Sequence, residues 1–184
     1  MLKFFVSIIS LMSIFLSINI YAYAQNIKSE YSKLDLNECL LLNADDMGAS
    51  FACAGYKGFP IYVAEGDLRM FVSYGFGAPN EKAAEQTLPQ FNTINETLEW
   101  RLMQVNDNWM PFATILRWFL EDGDPITPDG QILVVTKIEA NNTCHIAYID
   151  AQLVANANEI ARNFADNESA DFNCETDEIY YVPS

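Results

Sequence analysis

The sequence predicts an α+β domain: a mainly antiparallel β-sheet of about six or seven strands, one C-terminal helix packed on it, and two disulfides. Three observations predict it. Short β-rich runs follow one another too closely for crossover helices, so neighbouring strands must be antiparallel. Only one stretch, near the C-terminus, has apolar residues at helical spacing. Four cysteines, an even number, lie behind what reads as an export signal.

The signal comes first. Lys3 supplies a positive start, Phe4 to Ile20 is almost wholly apolar, and Ala22-Tyr23-Ala24 offers small residues at the two positions a signal peptidase inspects. Residues 1–24 are expected to be removed, with cleavage between Ala24 and Gln25. The competing reading is a membrane anchor, which needs about 20 apolar residues. The A-x-A site and the polar stretch Gln25 to Asn37 argue against it, and no cysteine precedes Cys39 to carry a lipid. Residues 25–184 then form a single exported domain, periplasmic or secreted, with no stable membrane anchor.

The elements follow in order. Gln25 to Lys33 is polar and reads as a loose lead-in. Asn43 to Gly48 is a turn between two short strands, the second at Ser50 to Cys53. Pro60 to Ala64 and Leu68 to Tyr74 flank Glu65-Gly66-Asp67 as a β-hairpin, the clearest in the chain. Asn80 to Asn95 reads as a surface loop. From Thr97 to Val105 the chain alternates, with Leu98, Trp100 and Leu102 on one face and Glu99 and Arg101 on the other. Asp107-Asn108 turns into an apolar strand, Phe112 to Leu120. The loop from Glu121 to Gly130, rich in Asp, Pro and Gly, precedes strands at Gln131 to Ile138 and Cys144 to Ile149. Asn156 and Glu159 read as a capping box for a helix reaching about Ala170, with Ala157, Ile160, Ala161 and Phe164 inward. Ile179 to Val182 is an added edge strand or a loose end.

Four cysteines allow three pairings. Local pairing is expected, Cys39 with Cys53 and Cys144 with Cys174, which closes a hairpin and ties a strand to the end of the helix. No C-x-x-C occurs and His145 is the only histidine. A zinc site, a free thiol nucleophile and any cofactor are therefore not expected.

Loss of Lys3 with the signal leaves 9 basic against 25 acidic residues, a net charge of −16. Such a surface repels nucleic acid and anionic lipid, and it suits a basic protein partner. His145 lacks a readable nucleophile beside it and is expected to be structural. The acids Glu121, Asp122, Asp124 and Asp129 lack the order of an EF-hand loop. A binding surface is expected at Tyr56, Lys57, Phe59 and Arg69, where aromatic and cationic side chains lie among glycines.

Those residues also carry a resemblance. Cys53-Ala-Gly-Tyr-Lys-Gly-Phe-Pro60, Glu65-Gly-Asp-Leu-Arg69, Phe71-Val-Ser-Tyr-Gly75 and the later Thr143-Cys-His-Ile-Ala-Tyr-Ile-Asp150 are similar to a family of uncharacterised exported proteobacterial proteins. The resemblance spans Leu34 to Cys174 and implies a bacterial periplasm but no particular activity. The leading expectation is a non-enzymatic periplasmic binding module for a basic envelope protein. The rival is an envelope-acting hydrolase that uses carboxylates.

Overall fold

The computed structural model describes residues 26–121 and 130–183, so the signal segment and most of the acidic loop lie outside the described residues. In chain order the first strands are β1 (Ile27–Lys33), β2 (Leu40–Asp45), β3 (Gly48–Ala54), β4 (Pro60–Gly66) and β5 (Arg69–Tyr74). They are followed by β6 (Phe91–Val105), β7 (Asn108–Glu121), β8 (Gly130–Lys137), β9 (Cys144–Asp150), the helix α1 (Ala157–Glu168) and β10 (Tyr180–Val182). One sheet has the order β1-β6-β7-β8-β9-β10 and the other β2-β3-β4-β5. Pairing is antiparallel except between β9 and β10, where α1 carries the chain back to the end at which β9 began. The α+β class holds. The strands are more numerous than expected, divide into two sheets, and include one parallel pair.

Period two builds the layers. Leu98, Trp100 and Leu102 of β6 point one way with Leu116, Trp118 and Val134, and all are buried against Ile61, Val63, Val72 and Tyr74 of the smaller sheet. The opposite face, with Ile115, Leu133, Val135, Ile146 and Ile149, is covered by Ala157, Ala161 and Ala165 of α1. The six-stranded sheet is thus the middle of three layers. Three irregularities adjust its facing: two extra residues on β6 between Ile94 and Leu98, Phe112 extra on β7, and Ile146 extra on β9. The last lets His145 and Tyr148, three apart, share one face.

Several local expectations are corrected. The loose lead-in is instead β1, paired with β6 from Met103 to Thr97. Its polar residues hid it, yet they are used: Ser32 Oγ accepts from the Trp100 indole at 2.8 Å, and Ser29 Oγ donates to Glu99 at 2.5 Å. The surface loop at 80–95 ends early, because β6 begins at Phe91 and Asn92 is buried. The hairpin turns sit at Asp67-Leu68 and Asn106-Asp107, all four at positive φ, rather than one residue to the side. Asn156 makes no side-chain capping bond, and α1 stops at Glu168. Its buried stripe is Ala157, Ala161 and Ala165, with Ile160 and Phe164 only half-buried at the flanks. Alanine at the contact lets the helix axis lie close to the sheet.

Cys39 is bonded to Cys53 across the β2–β3 hairpin, and Cys144 to Cys174 between β9 and the segment after α1. Among the described residues no helix is long and apolar enough to cross a membrane. Two disulfides are compatible with an oxidising compartment. Cys144–Cys174 closes a separation of 30 residues, so the Cys144→Ser/Cys174→Ser variant should lose about 3–4 kcal/mol in chemical denaturation. A loss under about 1 kcal/mol would contradict a stapling role.

Candidate functional site

The segment after β3 must turn over the ring of Trp100. Gly55 makes this possible, because a Cβ there would lie 2.1 Å from Trp100 Cζ2. The chain then closes on itself: Gly55 N donates to Phe59 O at 2.8 Å and Phe59 N to Tyr56 O at 2.9 Å. Lys57 and Gly58 adopt left-handed φ of 49° and 80° within this turn. Lys57 bears that conformation with a side chain, and its ammonium lies 5.2 Å from the Tyr56 ring centre.

Two other segments meet the turn. The β6–β7 hairpin brings Trp109, Met110 and Pro111, and the bend after β5 brings Phe76. Together with Tyr56, Lys57 and Phe59 they line an open cleft of about 300 Å³. Its aromatics form a chain from surface to core. Phe76 is 90% exposed and lies 5.9 Å from Phe59, which lies 5.7 Å from fully buried Trp100. Lys28 stands 4.6 Å over Trp109 and is paired with Glu30 at 2.7 Å.

Of the four residues expected at a binding surface, three come together here. Arg69 does not. It opens β5 at the far end of the β4–β5 hairpin, roughly 17 Å away by strand rise. There it pairs with Asp67, donates to the Pro89 carbonyl at 3.0 Å and lies over Phe91. Arg69 braces the start of β6. Trp109 to Pro111 were not singled out, because nothing local says that the β6–β7 turn shares an end with this one. A tryptophan and a methionine directly after a tight turn were the available signal.

A second polar cluster lies under α1. Glu99 accepts from Arg162 Nε at 2.7 Å, while Arg101 forks onto Asp166 at 2.8 and 2.5 Å. Burial alone would push Glu99 up, but the Arg162 guanidinium, the Ser29 hydroxyl and the Arg101 charge outweigh it and hold the carboxyl below the usual range. Glu81 is also buried, its two oxygens accepting the Asn141 and Thr143 amides. These carboxylates brace turns and layers. Among the described residues no three His, Cys, Asp or Glu side chains are grouped to hold a metal ion.

His145 is buried between the sheets. Its Nδ1 lies 2.8 Å from the Tyr148 hydroxyl, and Nε2 has no hydrogen-bond partner. Burial drives its pKa down to about 3, against a smaller upward pull from the Val72 carbonyl. Such an imidazole is neutral and out of reach of substrate.

No family model, curated protein or solved structure matches this chain.

The lone histidine gives a clean test. A depressed folded pKa means that the unfolded chain takes up the proton first, so stability is full above pH 6.5 and falls as pH drops toward about 3. His145→Gln should flatten that part of the stability–pH curve, and the ring signals of native protein should stay neutral in NMR down to about pH 4. A ring titration near the ordinary value in the native state would contradict the burial.

Proposed function

We propose that this protein is an exported, non-enzymatic binding module that engages a basic protein of the bacterial periplasm through the aromatic cleft. One observation carries the reading: an almost fully exposed Phe76 meets Phe59 edge to face, and Phe59 meets the fully buried Trp100 in the same way. Large aromatics held rigidly lose little entropy on binding and commonly dominate interface energy. Exposed Met110 beside them adds an adaptable apolar contact. Of the two lysines at the cleft, Lys28 is paired with Glu30, and the single charge of Lys57 is outweighed by the net negative charge of the chain. The strong negative charge of the remaining surface steers such a partner toward the molecule and makes association sensitive to salt.

The rival hydrolase is less well supported. Glycoside hydrolysis of the usual kind pairs a carboxylate with a general acid whose pKa is raised. Among the described carboxylates, Asp35, Glu99 and Glu139 are all held below the usual range by their partners. For the periplasmic address, the signal-like residues 1–24, the two disulfides and the resemblance to exported proteobacterial proteins point the same way.

Affinity capture from periplasmic extract with residues 25–184 as bait should return a basic protein. Phe76→Ala/Met110→Ala should weaken its binding about tenfold or more with an unchanged Tm. Phe59→Ala should instead lose roughly 2–4 kcal/mol of stability, because that half-buried ring packs against the core and meets Trp100 edge to face. Undiminished binding by the double variant would contradict the cleft as the contact surface.

A further inference from the structure

A sheet edge exposes unpaired backbone groups, and proteins ordinarily guard it. Three of the four edges here are guarded. β1 carries Lys28, Glu30 and Lys33, while β10 has three residues and runs into Pro183. β5 is covered by the chain that follows: Thr87 Oγ1 donates to Met70 O at 2.7 Å, and Met70 N to Asn92 Oδ1 at 2.9 Å. Among the described residues nothing covers β2. It pairs with β3 alone, its one irregularity is a bulge at Leu42, and all six of its residues are exposed. Leu40, Leu41 and Leu42 are 69, 53 and 51% exposed, and no charged side chain interrupts the strand before Asp45.

Leu40 pairs with Ala52 and Leu41 with Phe51, so these leucines point to opposite faces of the sheet. An added strand would find an apolar contact on each side. The ends of the strand decide which strand fits. Glu38 precedes it, Asp45 and Asp46 follow, and Glu65 lines the same hollow as those two aspartates. No Lys or Arg occurs between Lys33 and Lys57. A second copy is disfavoured: antiparallel pairing centred on Leu41 and Leu42 would set Glu38 opposite the copy's Asp45, on top of the mutual repulsion of two acidic molecules.

We propose that β2 is an acceptor edge for an extended segment of a basic partner, with an apolar centre and Lys or Arg at both ends. Main-chain bonds to β2 would supply affinity, and the acidic ends would select sequence and direction. This surface lies apart from the aromatic cleft. It shares with the reading above only the premise of a basic partner.

The test uses the peptide Lys-Lys-Val-Thr-Val-Thr-Val-Lys-Lys and the same core flanked by glutamates, with amide hydrogen exchange and calorimetry on the disulfide-bonded domain. The lysine peptide should slow exchange at Leu40 to Ala44, and the glutamate peptide should bind about tenfold or more weakly. Leu41→Lys should weaken the lysine peptide about tenfold at unchanged Tm, and Leu40→Lys on the other face replaces it should Tm fall. Phe76→Ala should leave peptide binding unaltered, which separates failure of this edge from failure of the cleft. Equal affinity for both peptides, or no protection at β2, would overturn the proposal. So would protection that arises without peptide as protein concentration rises, together with a dimer in sedimentation, since the occupant would then be a second copy.

Discussion

Trp100 is the point on which the three layers and the cleft depend. Its ring is fully buried between the sheets, its indole N–H is satisfied by Ser32 of β1, and its edges meet Phe59 and Tyr74 at 5.7 Å each. Gly55 passes over it with no room for a side chain. One side chain therefore holds β1, β6, the smaller sheet and the Tyr56–Phe59 turn in a fixed relation. Interiors packed this closely do not deform gradually. The exposed aromatics above that ring stand on a rigid base.

The other side of the same strand does different work. Glu99 and Arg101 alternate with Leu98, Trp100 and Leu102, and they meet Arg162 and Asp166 beneath α1. Removing one of the buried members, Glu99 or Arg101, costs about 3–5 kcal/mol, yet an apolar replacement of a whole buried set is often neutral. The network is thus better understood as fixing where α1 sits, since the helix otherwise rests on the sheet mainly through small alanines. β6 carries the apolar core on one face and the orientation of the helix on the other.

Much of this was legible in the residues. The alternation from Thr97 to Val105, the Pro60 to Tyr74 hairpin and the even cysteine count are local patterns with direct physical meaning, and the class, the layer-forming faces and the disulfides follow from them. Other features depended on contacts between distant segments. Ile27 to Lys33 reads as polar because its serines serve Trp100, Glu99 and Arg101, partners some 70 residues away. Tyr56, Lys57 and Phe59 stood out through their glycines, but Phe76 and Trp109 joined them only once two hairpins were placed at one end. Arg69 looked equivalent to them in sequence, and strand pairing sends it to the opposite end.

The proposed binding role rests on an aromatic cleft at one end, an open apolar edge on the smaller sheet and a strongly acidic composition. The account requires the cleft turn to be part of the core rather than a loop that opens by itself. Native-state hydrogen exchange measures this directly, by comparing the Gly55 and Phe59 amides with those of Leu98 and Leu102. The account predicts that all four exchange through the same global opening, with the same dependence on denaturant. Exchange of Gly55 and Phe59 through a separate, denaturant-independent local opening would contradict it.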